Sequence, residues 1–259
     1  MAMQTVDYKQ VPGHWVLASL GKRVLRPGGL KTTRWMIEGL DVTGQDVVIE
    51  FAPGLGITAQ ITLQLNPRRY IAIEQNEKAA SIVKTYANGA NREVIIADAE
   101  QVPLPDASAT VVYGEAMLTM HTRAKKGQII SEARRLLKTG GKYAIHEMCL
   151  ASNDIEPELR KQIYKDLAVA MRVNATPMTV SEWEQLLKEE GFKVVKIYTV
   201  PMHLLHLPRI IQDEGWLRFG KIAFNLMRNR AARARVMGMR KQFVKYADHL
   251  QAVSIIAER

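Results

Sequence analysis

Residues 50–59, which read Glu-Phe-Ala-Pro-Gly-Leu-Gly-Ile-Thr-Ala, place a glycine-containing turn between an apolar run and a helical pattern. Glycine at Gly54 and Gly56 lets a ligand approach the backbone, and the following helix presents unpaired N–H groups. Glu74 lies 20 residues after Gly54, at the end of the next apolar run, where a carboxylate can bind ribose hydroxyls. This spacing is typical of a nucleotide site, although a tight strand-to-helix turn can also need glycine for structural reasons alone.

Four further residues that can move protons follow later apolar runs: Glu115, His121, His146 and Glu147. Open α/β sheets bind ligands at the carboxyl ends of their strands, so these residues are candidates for general acid–base catalysis. The alternative is that they are hydrogen-bonded partners in packing, which is the commoner role of a lone histidine. The histidines are not paired with acids or cysteine at ligand spacing, so no metal site is predicted.

The composition is that of a globular protein, with 259 residues, 47% hydrophobic and 24% charged. Its length allows one large domain or two small ones. Cys149 is the only cysteine, which excludes an intrachain disulfide and a cysteine-rich zinc site. The first ten residues lack the pattern of a signal peptide, and the chain has no apolar run long enough to span a bilayer. We therefore expect a cytoplasmic protein.

The net charge of +10 is concentrated in two segments. Six cations and no acid lie between Asp7 and Glu38, and nine cations and no acid lie between Glu214 and Asp248. These segments could attract an anionic ligand, an anionic membrane surface or a nucleic acid, or they could simply be solvated helix faces.

From residue 46 onward, β-rich runs alternate with helical patterns, which predicts an α/β fold with a mostly parallel sheet. Thr179 and Glu182 form a capping box at the start of one helix. The predicted strands are 47–51, 70–73, 94–97, 110–113, 142–148, 192–200 and 252–257, and the predicted helices between them are 57–65, 76–87, 125–138 and 180–190.

Two segments lie outside this alternation. We interpret residues 1–45 as an N-terminal helical cap and residues 201–249 as a helical insertion, with helices over 210–229 and 230–247. The insertion is rich in aromatic and aliphatic residues and must bury one face. The predicted organisation is thus a cap (1–45), a Rossmann-like core (46–200), a lid (201–249) and the last strand of the core (250–259).

Four segments resemble, in order and spacing, the motifs of class I S-adenosylmethionine-dependent methyltransferases. They are residues 50–59, 71–75 (Ile-Ala-Ile-Glu-Gln), 96–108 (Ile-Ala-Asp-Ala-Glu-Gln-Val-Pro-Leu-Pro-Asp-Ala-Ser) and 132–142 (Glu-Ala-Arg-Arg-Leu-Leu-Lys-Thr-Gly-Gly-Lys). The resemblance is to the type 11 branch, which includes enzymes of ubiquinone and menaquinone biosynthesis. Two positions depart from the family pattern, since the first loop glycine is Ala52 and the proline before the double glycine is Thr139.

This resemblance implies a seven-stranded Rossmann-like sheet whose last strand is antiparallel, with helices on both faces and added lid segments. It also implies S-adenosylmethionine as cofactor and a small-molecule methyl acceptor. By similarity, the residues expected near the cofactor are Glu50, Ala52, Gly54, Gly56, Glu74, Gln75, Asp98, Ala99 and Glu115. Glu74 would bind the ribose, while Asp98 and the Ala99 N–H would bind adenine. Arg26 is a candidate partner for the cofactor carboxylate by charge and position alone.

The candidate catalytic residues are His146 and Glu147, at the end of the fifth strand, and His121. The aromatic and basic lid suggests an anionic or lipophilic acceptor, or a membrane surface at residues 215–247, and no oligomeric state is predicted. Three alternatives remain open at this point. The first is a nucleic-acid methyltransferase or binding protein, which the basic segments suggest but which we favour less than an enzyme with a small-molecule acceptor. The others are an NAD-dependent Rossmann oxidoreductase and a methyltransferase-like scaffold without activity.

Overall fold

The computed structural model describes residue 8 and residues 10–259, and its centre is one mixed β-sheet. The strand order is β3-β2-β1-β4-β5-β8-β7, with the two-residue β6 paired to β5. Strands β1 to β6 pair in parallel, and β8 runs antiparallel to both β5 and β7. The strands are β1 (Val47–Phe51), β2 (Arg69–Ile73), β3 (Arg92–Ile95), β4 (Ala109–Glu115), β5 (Leu137–Leu150), β6 (Met178–Thr179), β7 (Lys193–Pro201) and β8 (Leu250–Glu258).

Helices cover both faces of this sheet because its side chains alternate between two apolar layers. Ile49 and Phe51 face the layer that contains α5 (Arg123–Leu136) and α7 (Val180–Glu189). Val48 faces the layer formed by α2 (Gly29–Leu40), α3 (Ile57–Gln64) and α4 (Glu77–Lys84). The predicted Rossmann-like α/β fold with an antiparallel last strand is confirmed.

A third apolar cluster lies under four helices: α1 (Gly13–Ser19), α6 (Pro157–Met171), α8 (Leu207–Arg228) and α9 (Arg230–Lys245). From here on we use the name lid for these four helices together, so that it includes α1 and α6 as well as the helices of the predicted 201–249 lid. The two helices predicted over 210–247 are α8 and α9, and Gly215 interrupts α8 with φ 75° and ψ 162°. Within the described part of the chain, no helix is both long and apolar enough to cross a membrane.

Helix α6 and strand β6 were not predicted from the sequence. Leu159, Ile163 and Leu167 recur at intervals of four residues in α6, and this period indicated a helix with one buried face. Strand β6 is too short for a periodic signal, because two residues cannot show alternation. It forms only where Cys149 and Leu150 of β5 offer a free edge.

Candidate functional site

A cavity of about 570 Å³ lies at the carboxyl ends of β1, β2, β4 and β5, where parallel α/β sheets bind ligands. Nine of the predicted site residues line it: Arg26, Glu50, Ala52, Gly54, Glu74, Gln75, Glu115, His121 and Glu147. Gly56, Asp98, Ala99 and His146 do not line the cavity.

The loop from Ala52 to Gly56 shapes one wall of the cavity. Ala52 and Gly54 have φ of 50° and 55°, a left-handed conformation that glycine adopts most easily, so Ala52 carries the conformation for which the family pattern uses glycine. A side chain at Gly54 would meet nothing closer than the Ala52 carbonyl at 4.0 Å, so the space in front of this residue is open. Gly56 has a packing role instead, because a Cβ there would lie 2.9 Å from the ring of Tyr86.

Glu74 follows β2 and is 5% exposed. Its Oε2 accepts a hydrogen bond from the Gly54 N–H at 3.1 Å, and its Oε1 accepts one from the Asn76 N–H at 2.9 Å. A carboxylate has about four acceptor positions, so each oxygen keeps one for a ligand hydroxyl. Glu74 therefore links the glycine loop to the helix that follows β2 and still has the capacity for two further hydrogen bonds.

Asp98 and Ala99 lie in the loop after β3, outside the residues that line the cavity. Asp98 Oδ1 accepts a hydrogen bond from the Glu100 N–H at 3.1 Å, and its other oxygen lies 3.4 Å from Lys125 Nζ. The side chain of Asp98 is 46% exposed. Ala99 is buried against the apolar layer of β1 and β2.

Glu115, at the end of β4, is the centre of a buried polar network. Its Oε1 accepts hydrogen bonds from Thr33 at 2.7 Å and lies 2.7 Å from His146 Nδ1. Its Oε2 accepts from the Thr58 hydroxyl and pairs with Arg26. All four acceptor positions of this carboxylate are thus occupied. Although burial raises the pKa of Glu115, the Arg26 guanidinium and these hydrogen bonds outweigh it and lower that pKa to about 2.

His146 and Glu147 are fully buried at the end of β5, and both are engaged in the structure. His146 Nε2 lies 2.6 Å from the Pro27 carbonyl oxygen, so both of its ring nitrogens have partners. Glu147 accepts hydrogen bonds from the N–H groups of Met117, Leu118 and Thr119 and from the Thr119 hydroxyl. Glu147 therefore holds the turn after β4 that lines the cavity.

Glu50 lies on β1 beneath the cavity, where its Oε2 accepts hydrogen bonds from Tyr70 and, at 2.8 Å, from Tyr113. Burial raises the pKa of Glu50 to about 7.

His121 has a different environment, because it lines the cavity and its ring makes no hydrogen bond to the described residues. Burial and the nearby Lys125 ammonium lower the pKa of His121 below 6.5, so the ring is neutral at pH 7 and can accept a proton.

The structure also brings residues to the cavity that the sequence analysis missed. Apolar side chains from the cap, the turn after β4, β5 and the segments in and beside the lid helices line its other end, namely Trp15, Leu25, Met120, Met148, Met171, Val173 and Leu204. Their helical and strand spacing indicates burial but does not distinguish a cavity wall from a core. Lys126 holds one part of this wall, since its Nζ donates to the Thr176 carbonyl at 2.6 Å in the segment that follows α6.

Several polar side chains accompany this apolar wall, among them His14 on α1 and the exposed Arg23 and Asn174. Burial lowers the pKa of His14 to about 4, so its ring is neutral at pH 7. Arg26 uses Nη1 for its contacts with Thr33, Thr58 and Glu115, and its Nη2 and Nε donate to none of the described residues. The cavity is thus polar at the glycine loop and mainly apolar beneath the lid.

Comparison with known proteins identifies the family of this chain. Residues 49–145 match the family described as "Methyltransferase domain". An uncharacterized protein of Haemophilus influenzae is 33% identical over 224 residues, which cover 85% of this chain and 87% of that protein. The chain belongs to the class I S-adenosylmethionine-dependent methyltransferases.

Solved structures share the fold of this methyltransferase at low sequence identity. The [4+2]-cyclase SpnF superposes with a TM-score of 0.74 and 16% identity, covering 97% of this chain and 94% of its own. The geranyl diphosphate C-methyltransferase of Streptomyces coelicolor, solved with Mg²⁺, geranyl diphosphate and S-adenosylhomocysteine, has a TM-score of 0.62 and 14% identity. That superposition covers 89% of this chain and 79% of the other.

The site of this methyltransferase fits its cofactor, S-adenosylmethionine. The open space in front of Gly54 accommodates a ligand against the loop backbone. Glu74 retains two acceptor positions for a ribose diol, and the cavity continues from there towards Arg26 and the apolar wall.

Proposed function

We propose that this enzyme methylates a small acceptor with a lipophilic body and an anionic group. The observation that carries the proposal is the composition of the cavity beneath the lid, where aromatic, aliphatic and methionine side chains surround the exposed Arg23 and two neutral histidines. Such a wall favours apolar surface on the acceptor, and Arg23 at its edge favours a carboxylate or a phosphate. Geranyl diphosphate, present in one of the similar structures, has this combination of properties.

The cofactor end of the site is assigned by the same reasoning. S-adenosylmethionine supplies the methyl group when it is bound. Glu74 accepts the two ribose hydroxyls, Gly54 provides room for close approach, and the unused Nη2 and Nε of Arg26 pair with the methionine carboxylate. Asp98 and the Ala99 N–H, which the family resemblance assigns to adenine, lie just beyond the described cavity.

Glu115 and His146 are assigned to positioning rather than to contact with cofactor or acceptor. Four donors already occupy the Glu115 carboxylate, and both nitrogens of His146 have partners. Together they connect the cap, through Arg26, Pro27 and Thr33, to the ends of β4 and β5. Their role is to hold Arg26 at the edge of the cavity in a fixed orientation.

His121 is the residue we propose as general base for an oxygen or acidic carbon acceptor. Its ring lines the cavity, lacks a hydrogen-bond partner among the described residues and is neutral at pH 7. An uncharged amine or a thiolate acceptor would need no such base. In every case the chain's main contribution is to align the acceptor and to exclude water beneath the lid.

The test begins with calorimetric titration of the purified protein with S-adenosylhomocysteine, S-adenosylmethionine and NAD. We expect the two sulfur nucleosides to bind and NAD not to bind. A mass-spectrometric screen for a gain of one methyl group follows, with paired sets of acceptors that differ only in an anionic group or in the length of an alkyl chain. Preference for short, uncharged acceptors, or cofactor binding without turnover on either set, would contradict the proposal.

A further inference from the structure

The second half of α8 exposes large apolar side chains along one face. Leu217 is 95% exposed, Trp216 73%, Met227 65% and Phe224 51%. Leu217, Phe224 and Met227 are separated by seven and three residues, a spacing that places them on one side of a helix. Isolated apolar residues are common on protein surfaces, whereas a continuous set on one face marks an interaction site.

The opposite side of the same helix is firmly packed, which fixes the orientation of the exposed face. Ile222 is buried in the lid cluster, and Phe219 and Leu226 pack against it. Asn225 donates a side-chain hydrogen bond to the Leu20 carbonyl at 3.0 Å. The helix therefore has two apolar faces, and residue 8 and residues 10–259 cover only one of them.

Cations surround the exposed face. The chain has no acid between residues 215 and 247, and Lys221, Arg228 and Arg230 are exposed beside the apolar side chains. The Arg228 guanidinium lies 5.4 Å from the centre of the Phe224 ring. Helix α9 also exposes apolar side chains, since Met237 is 51% exposed and Val244 is 62% exposed.

We propose that this surface, formed by Trp216, Leu217, Phe224 and Met227 with Lys221, Arg228 and Arg230, binds an anionic phospholipid bilayer. We call it the docking face. Aromatic and aliphatic side chains that project beside cations suit the boundary between headgroups and acyl chains, where the apolar groups insert and the cations pair with phosphates. This proposal does not depend on the methyl acceptor.

The charge of the docking face argues against the other occupants. A second copy of the chain, docked through the same surface, would bring like charges together without an acid to pair them. A nucleic acid would pair with the cations but would leave the aliphatic side chains of Leu217 and Met227 without a suitable partner. Only an anionic apolar boundary satisfies both sets of side chains.

Co-sedimentation with vesicles tests the proposal on the full chain. We expect at least about tenfold tighter binding to vesicles of phosphatidylcholine with phosphatidylglycerol than to phosphatidylcholine alone, and release at high salt. The double variant W216S/L217S should lose at least about tenfold in binding to the mixed vesicles. Val169→Ser is the matched control, because Val169 is 61% exposed on α6, outside the docking face, and should leave binding unchanged.

A charge series separates the apolar contribution from the electrostatic one. Neutralising Lys221, Arg228 and Arg230 to Gln should weaken binding to the mixed vesicles, whereas the same change at the exposed Lys84, Lys188 and Lys193 should have a much smaller effect. Equal effects of the two triple variants would overturn the proposal. So would binding to neutral vesicles as tight as to mixed ones, full binding by W216S/L217S, or a dimer that this double variant converts to monomer. Calorimetry with S-adenosylhomocysteine reports independently on the cofactor site.

Discussion

Nδ1 of His146 lies 2.7 Å from Oε1 of Glu115, and Nε2 of the same ring lies 2.6 Å from the carbonyl oxygen of Pro27. A carbonyl oxygen and an ionised carboxylate only accept hydrogen bonds, so Nε2–H donates to Pro27 and Nδ1–H donates to Glu115. One imidazole therefore joins the ends of β4 and β5 to the turn that precedes α2. This contact couples the position of the cap to the edge of the cavity, and it makes the Glu115 network a determinant of stability.

Replacing Glu115 with Gln should destabilise the protein by about 3–5 kcal/mol, because the change leaves the buried Arg26 charge without its partner. The glutamine amide would also point its N–H groups at side chains that are hydrogen-bond donors to the wild-type carboxylate. Urea unfolding monitored by circular dichroism measures the effect. Glu93→Gln is the control, since Glu93 pairs with Arg69 on the surface and should change stability by less than about 1 kcal/mol. Equal effects of the two variants would contradict the buried network.

Replacing Glu74 with Ala should weaken the binding of S-adenosylhomocysteine by about 1.5–3 kcal/mol, since hydrogen bonds from the ribose hydroxyls to a carboxylate are lost. Calorimetry on the folded variant provides the measurement. Glu77→Ala, in the first turn of α4, removes a nearby exposed carboxylate and should leave the affinity unchanged. An unchanged affinity in Glu74→Ala would exclude Glu74 from the cofactor site.

The sequence predicts the core of the fold because the periodic signals there are long and repeated. Strands β1 to β5, β7 and β8 were predicted with their ends within five residues of those observed. Gly54 and Glu74, which were predicted to belong to one nucleotide site, are joined by a hydrogen bond. The apolar end of the cavity was not predictable, because Trp15, Met148 and Leu204 come from distant segments and their apolar character indicates burial alone. The partners of His146 were equally hidden, since Glu115 reaches it only through the register of β4 against β5 and Pro27 only through the docking of the cap.

Glu50 should make stability depend on pH in a direction opposite to that of most carboxylates. Burial raises the pKa of Glu50 in the folded state to about 7, so between pH 4.5 and 7 the folded state binds more protons than the unfolded state. The contribution of Glu50 to the free energy of unfolding is therefore complete below pH 4.5 and is lost as the pH rises through 7. Glu50→Gln removes this loss and should stabilise the protein by up to about 3 kcal/mol at pH 8, with little effect at pH 4.5.

Urea unfolding of the wild type and of Glu50→Gln at several pH values measures this difference. Asp46→Asn is a useful contrast, because burial, which raises the pKa of Asp46, is outweighed by hydrogen bonds from Thr110 and Thr43, which lower that pKa. The stability that Asp46 provides is present above its ordinary pKa and is lost only at acid pH. Asp46→Asn should therefore lower the free energy of unfolding by the same amount at pH 5 and at pH 8. If the free energies of unfolding of Glu50→Gln and the wild type differ by the same amount at every pH from 4.5 to 8, Glu50 does not titrate in that range.

His121 and His146 should respond differently to the same substitution. His121→Gln removes a ring that lines the cavity, so turnover of an oxygen or acidic carbon acceptor should fall at least about hundredfold while the affinity for S-adenosylhomocysteine stays unchanged. His146→Gln breaks the contact between the cap and the sheet, so it should lower the stability. It should also lower the affinity for the cofactor, because Arg26, the proposed partner of the cofactor carboxylate, depends on that contact.

The pH dependence of turnover distinguishes a general base from a residue that only shapes the cavity. Because burial lowers the pKa of His121 below 6.5, wild-type kcat should be constant near pH 7 and should decline only below pH 6.5, as the ring becomes protonated. His121→Gln should abolish this acid limb, whereas His206→Gln, at an exposed histidine of the lid, should retain it. Persistence of the limb in His121→Gln would assign proton transfer to another group and leave His121 a role in shaping the acceptor wall.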